Sequence, residues 1–93
     1  MIRSFKSKGT EKIFLRTRSK KLPGDIQQIA LRKLRMLHRS KSLQDLRVPP
    51  PNGLERLRGN RSGRYSIRIN DQWRICFRWS KGDAFDVEIV DYH

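Results

Sequence analysis

The chain has 93 residues, with 22 Lys+Arg against 9 Asp+Glu, a formal net charge of +13, and 35% hydrophobic and 33% charged residues. A chain of that size folds as one domain with a modest core, and a field of that sign favours polyanions. No apolar run approaches the roughly 20 residues of a membrane span, no signal-peptide pattern opens the chain, and the single cysteine, Cys76, excludes an internal disulfide and fits a reducing cytoplasm.

The charge is uneven. Residues 1–41 hold 13 basic and 2 acidic side chains, and residues 42–93 hold 9 and 7. The basic half is therefore the part suited to nucleic acid, while the two Trp, four Phe and clean alternation further on argue for an ordered α+β domain rather than a disordered tail.

Met1 to Phe5 reads as an edge strand, and the turn at Lys6 to Gly9 leads to Thr10 as N-cap of a helix over Glu11 to Arg16. Ile13 and Phe14 face the core in this reading, with Lys12, Arg16 and Arg18 in water. Thr17 to Gly24 is a basic loop. Asp25, with Gln28 three residues on, opens the clearest helix as a variant capping box. Its apolar stripe is Ile26, Ile29, Ala30, Leu34 and Leu37; Arg32, Lys33, Arg35 and Arg39 lie mostly elsewhere on the wheel. His38 is placed at the surface or as a partner of the helix C-terminal dipole. Such a basic amphipathic helix suits packing on a sheet better than lying on a membrane.

Ser42 to Leu46 is a short helical turn, and Val48-Pro49-Pro50-Pro51-Asn52-Gly53 is a stiff connector, because three prolines lack N–H donors. Leu54 to Arg58 is the first strand of the main sheet and Gly59 to Gly63 a polar turn. Tyr65, Ile67 and Ile69 then alternate with Arg64, Ser66 and Arg68, and Trp73, Ile75, Phe77 and Trp79 with Arg74, Cys76 and Arg78. That is the period of half-buried strands, joined at Asn70-Asp71-Gln72 by residues that tolerate a hairpin turn. One face is apolar and the other carries arginines. After a turn at Ser80 to Asp83, Phe85, Val87 and Ile89 form the core side of a last strand ending at Asp91-Tyr92-His93.

No phosphate-cradling glycine loop, paired-cysteine site or metal-ligand spacing is visible. What remains is a set of polar residues at strand ends: Glu55, Arg58, Arg61, Arg74, Asp91, Tyr92 and His93.

The run GNRSGRYSIRINDQWRICFRW, the final VEIVDYH and the opening MIRSF together resemble the HigB-like toxins of the RelE/ParE superfamily, most closely the GraT type. The resemblance covers essentially the whole chain, residues 1–93. It implies two N-terminal helices packed on a curved, mainly antiparallel sheet. It also implies cleavage of translated mRNA in the ribosomal decoding site, with no cofactor or metal, and neutralisation by a small helix-turn-helix antitoxin (HigA-like) encoded beside it. Operator DNA would be reached only through that antitoxin.

Cleavage of RNA by its own 2′-hydroxyl needs a base at that oxygen, charge stabilisation on the phosphate and an acid at the leaving oxygen. Arg74 is the phosphate candidate, since a planar guanidinium matches two oxygens; a cross-strand ion pair with Asp86 or Glu88 is its alternative. Arg68 and Arg78 fit ion pairs better. His93 has the ordinary pKa for proton transfer near neutrality, Asp91 is a base or orients the imidazole, and Tyr92 stacks, donates or fills core. Arg58 matches a position where the family carries lysine or arginine, and Glu55 departs from the family's histidine, which leaves the general base open. The RNA- or ribosome-facing candidates are Lys20, Lys21, Arg32, Arg39, Arg61 and Arg68. Two non-catalytic alternatives remain: a toxin that blocks its target without cutting, as ParE-type relatives do, and a basic ribosome-binding factor.

Overall fold

A computed structural model describes residues 1–58 and 63–92. Two helices, α1 (Lys8–Phe14) and α2 (Gly24–Arg39), precede two 3₁₀ turns at Leu43–Arg47 and Pro50–Asn52. Four strands follow: β1 (Glu55–Arg56), β2 (Arg64–Arg68), β3 (Trp73–Ser80) and β4 (Asp83–Asp91). They form one antiparallel sheet in the order β1-β2-β3-β4. Among the described residues no helix is long and apolar enough to cross a membrane.

The helices cover one face of this sheet because each presents a stripe. Ile26, Ala30, Leu34 and Leu37 of α2 and Ile13 of α1 are buried against Ile67, Ile75, Phe77, Ala84, Val87 and Ile89 of the strands. Burying each such side chain stabilises the fold by about 1.5–3 kcal/mol before conformational entropy is set against it. α1 is tied to the sheet by a polar contact as well. Thr10, fully buried, accepts the Ile89 backbone N–H on its Oγ1 at 2.9 Å.

The helix starts differ from the sequence expectation. Ser7, not Thr10, caps α1, accepting the Thr10 N–H at 3.2 Å; Thr10 is drawn inside by its bond to β4. α1 ends at Phe14, where Arg16 takes φ 63 and the Arg16 and Thr17 N–H groups return to Ile13 and Lys12, a Schellman closure made without glycine. α2 begins at Gly24 after Pro23 with no side-chain cap. In place of the expected Asp25–Gln28 box, Gln27 closes the preceding loop, donating to the Ser19 and Leu22 carbonyls at 2.7 and 2.8 Å. The reciprocal box appears further on, where Ser42 caps the first 3₁₀ turn with Asp45.

The two hairpins are as their turn residues dictate. Asn70 Oδ1 accepts the N–H groups of Gln72 and Trp73 at 2.9 and 2.8 Å, an Asx turn between β2 and β3. Lys81 and Gly82 both have positive φ, 51 and 83, as a two-residue hairpin between twisted strands requires. The strand expected at Leu54 to Arg58 forms over Glu55–Arg56, with the Leu57 N–H donating to the Arg64 carbonyl at 2.9 Å beyond it, and the turn expected at Gly59 to Gly63 lies, except for Gly63, outside the described residues.

The last strand corrects the expected facing. Cys76 pairs with Glu88, but Arg78 pairs with Phe85, so Asp86 and Val87 together oppose Phe77. Asp86 sits at φ 54, a conformation Asp tolerates better than most residues. This bulge reverses the alternation. Ala84, Val87 and Ile89 face the helices, whereas Phe85 turns to the other face, under the Arg78 guanidinium at 4.5 Å from its ring centre. The N-terminal segment runs parallel to β4 as two isolated bridges, Ile2 to Ala84 and Phe5 to Val87, rather than as an edge strand. His38 holds it there: its Nδ1 accepts the Ile2 N–H at 3.1 Å, and its ring packs on Phe14. The histidine expected at the surface or as a partner of the helix dipole is half-buried in the last turn of α2 and fastens the N-terminal segment.

Candidate active site

On the sheet face away from the helices, cross-strand rows place Arg68, Arg74 and Val90 side by side, then Ser66, Cys76 and Glu88, then Arg64, Arg78 and Phe85. The arginine face therefore exists, but its members are held in different ways. Arg78 and Arg64 share Asp86, at 3.6 and 3.9 Å. Arg68 pairs with Asp71 of the hairpin turn. Glu88 pairs with Lys6 at 3.8 Å.

Arg74 is the exception, being only 8% exposed. Its Nε donates to Ser66 Oγ at 2.9 Å, and its Nη2 donates to the Gly53 carbonyl and, at 3.4 Å, to the Ser66 carbonyl. Nη1 stands 3.6 Å from Glu55 Oε1, and the guanidinium lies 5.7 Å from the centre of the Tyr92 ring. The carboxylate beside Arg74 is thus Glu55, two strands away, and not Asp86 or Glu88. Three hydrogen bonds hold the guanidinium through Nε and Nη2; among the described residues Nη1 faces the exposed Glu55 carboxylate. A guanidinium so held, facing a solvated carboxylate that another anion can displace, suits a phosphate oxygen pair.

Gly53 is itself fixed. It ends the second 3₁₀ turn at φ 53, and a Cβ there would come 3.8 Å from the Arg74 guanidinium nitrogens. The preceding residue, Asn52, is fully buried. Its Nδ2 donates to the Leu46 and Val48 carbonyls at 3.2 and 3.3 Å, and its Oδ1 accepts from Lys33 Nζ at 2.5 Å. Lys33, expected mostly off the apolar stripe, is 8% exposed. Burial, and secondly the charge of Arg32, lowers its ammonium pKa from the ordinary lysine value. The sequence signal was its spacing: 26, 30, 33 and 37 lie on one helix face, and only the charge argued against burial. Ser66, Gly53 and Asn52 carried no such signal.

The other expected site residues divide into four groups. Glu55 and Tyr92 gather at Arg74, and Arg58 follows β1 with its side chain exposed. Asp91 pairs with Trp73, so it leaves β4 on the side opposite Val90 and Arg74; Gln72 Nε2 donates to its Oδ2 at 3.0 Å. His93 and Arg61 lie outside the described residues. Lys20, Lys21, Arg32 and Arg39 are exposed on the helical layer, where Arg32, Arg35 and Arg39 line a shallow depression with Gln28, Ile29 and Leu31. The structure therefore separates a sheet-face site from a basic helical surface.

Residues 3–93 match the family model described as the RelE-like toxin of the type II toxin–antitoxin system HigB. The chain is 38% identical over 87 residues to Toxin HigB-1 of Vibrio cholerae, covering 92% of each chain. It is 33% identical to Endoribonuclease HigB of Proteus vulgaris, covering 100% of both. Two helices on an open four-stranded antiparallel sheet are consistent with that family. By whole-length match and by fold, this chain belongs to the HigB-like, RelE-like toxins of type II toxin–antitoxin systems, a family defined by pairing with an antitoxin.

Proposed function

We propose that this chain, acting as one toxin domain, is a metal-independent endoribonuclease that cuts mRNA on the 70S ribosome, arrests translation and growth in the bacterial cytoplasm, and is held in check by a helix-turn-helix, HigA-like antitoxin from the adjacent gene. The observation that carries the reading is Arg74: a buried guanidinium held by Ser66 and Gly53 beside the Tyr92 ring, with its Nη1 facing the exposed carboxylate of Glu55. The relative named an endoribonuclease supports the same reaction class.

In this reading the 2′-hydroxyl attacks the adjacent phosphorus, the 5′-oxygen leaves, and a cyclic phosphate remains. Arg74 balances charge on the phosphate, with Arg58, two residues past β1, in support. Tyr92 stacks on a base or donates to an oxygen. His93 and Asp91 supply proton transfer at the chain's end, with Glu55 the alternative base. Asp91 reaches the substrate only from beyond the sheet end, since its side chain leaves the strand opposite Arg74.

An open sheet face without a closed pocket does not strain a substrate by itself, so positioning falls to the ribosome. Lys20, Lys21, Arg32 and Arg39 would dock on ribosomal RNA, and Arg61 and Arg68 are further candidates for contact with RNA. One contact favours the non-cutting, ParE-like alternative: Glu55 holds the edge of Arg74 that a phosphate needs. The test is to add purified protein to naked mRNA and to the same mRNA under translation, and to map new 5′ ends. Ends inside coding frames only under translation support the proposal; equal cleavage of naked RNA at low nanomolar protein contradicts ribosome dependence, and no ends in either sample favours the blocker.

A further inference from the structure

Lys33 and Asn52 are both buried, belong to no expected site, and are joined at 2.5 Å. A buried ammonium is costly to a domain of this size unless it is well bonded. What it bonds is informative. Asn52 Oδ1 receives Lys33, while Asn52 Nδ2 gathers the Leu46 and Val48 carbonyls and touches Met36 Sδ at 3.0 Å. One side chain thus ties helix α2 to the end of the first 3₁₀ turn and to the residue just after it. The next residue in the chain is Gly53, whose carbonyl accepts Arg74 Nη2. The path from α2 to the guanidinium has three bonded steps: Lys33 to Asn52, Asn52 through one peptide to Gly53, and Gly53 to Arg74. Ser66 fixes the guanidinium from the strand side; the loop fixes it from the other.

We propose that Lys33 and Asn52 are positioning residues for Arg74, setting the Gly53 carbonyl so that the guanidinium presents its Nη1 toward the exposed Glu55 carboxylate. The catalytic part of this assignment rests on the endoribonuclease reading; the positioning part does not. Without the Lys33 donor, Asn52 rotates to other partners, the turn relaxes, and Arg74 keeps Ser66 but loses its second anchor. Misplacement of a phosphate-binding group lowers the rate of the chemical step and leaves ribosome docking as it was.

The test uses the full chain with Lys33→Met, which keeps the aliphatic stem and deletes the ammonium, and Lys33→Gln, which keeps a donor. Asn52→Ser, which withdraws the amide without adding bulk, is the second route if Lys33→Met does not fold. Two readouts are taken. The first is the ¹⁵N resonance of Arg74 Nε–H, protected by Ser66. It is expected to shift and exchange faster in Lys33→Met and Asn52→Ser, and to stay near wild type in Lys33→Gln. The second is cleavage of translated mRNA. Here kcat is expected to fall about tenfold or more with KM for ribosomes unchanged, and Lys33→Met is expected to add nothing in an Arg74→Ala background. An Arg74 resonance unmoved in every folded variant overturns the proposal, as do losses that multiply with that of Arg74→Ala, the mark of a general loss of stability. A responsive resonance in a protein that does not cut translated mRNA upholds the positioning and removes the endoribonuclease reading.

Discussion

Arg74 and Glu55 face each other at 3.6 Å, and the exposure of their side chains differs sharply, 10% against 56%. The arginine is fixed in place; the glutamate is a tethered anion at its accessible edge. A phosphate entering there competes with Glu55. Because the carboxylate is solvated, the competition is worth roughly 0.2–1 kcal/mol, or up to about fivefold in affinity. Glu55→Gln should therefore bind a 2′-deoxy, uncleavable RNA more tightly by a few-fold, measured by fluorescence anisotropy at low salt. If kcat on cleavable message falls at the same time, Glu55 is also the base. Unchanged or weaker binding would remove Glu55 as a competitor.

The bulge at Asp86 makes a sharp claim about two phenylalanines. Phe77 is fully buried under the helices, whereas Phe85 lies half-buried on the arginine face. Phe77→Ala should cost about 3–5 kcal/mol of stability, and Phe85→Ala clearly less, about 1 kcal/mol. Urea unfolding of the two variants checks this, and equal losses would contradict the facing.

That pair also marks how far the sequence could be read. The organising hairpin was legible because period-2 alternation and an Asn-Asp turn agree with each other, and the α2 stripe because its spacing is helical. Phe85 was misread because the αL residue Asp86 is an extra position between it and Val87, so the two face opposite ways, and nothing in Ala84-Phe85-Asp86-Val87 announces it. Lys33 was misread because charge outweighed spacing. Arg74 was legible as a phosphate candidate, but Ser66, Gly53 and Asn52 were not. They act through tertiary hydrogen bonds from residues 8, 21 and, through Gly53, 22 positions away, a relation that no local pattern encodes. The capping sites moved by a few residues because Thr10 and Gln27 found tertiary partners.

Asp83 anchors the N-terminus, accepting the α-ammonium at 3.4 Å and Arg3 at 3.2 Å. Burial pushes its carboxyl pKa up, but hydrogen bonds and charge from Arg3 and the ammonium outweigh this and hold it below the ordinary carboxylate value. The folded state therefore binds this proton less readily than the unfolded state. The stabilisation is fully present above the unfolded value, about 3.9, and is lost as pH falls through the lower folded value. Thermal melts of Asp83→Asn should lie below wild type near neutrality and converge with it as pH drops below about 4. A constant gap at all pH values would show that the ion pairs contribute nothing.

Reversing the charges of Lys20, Lys21, Arg32 and Arg39 should weaken ribosome association without unfolding the domain, since all four are exposed. Each phosphate contact removed should lower the salt slope of binding by about one. Sedimentation with ribosomes across a salt series measures it. An unchanged slope would exclude the helical layer as the docking surface.

The central claim is that Arg74 stabilises the phosphate during cleavage of translated mRNA, and the most direct measurement is the rate at which new mRNA 5′ ends form in a translating extract with wild type, Arg74→Lys and Arg74→Ala. The alanine variant leaves Ser66 and Gly53 without their donor, a loss of about 1–3 kcal/mol, so rates are compared at a temperature where all three remain folded. The account predicts a fall of about 10²-fold for Arg74→Ala and partial recovery for Arg74→Lys, whose ammonium lacks the fork. Folded Arg74→Ala cutting at the same sites and the wild-type rate would contradict it.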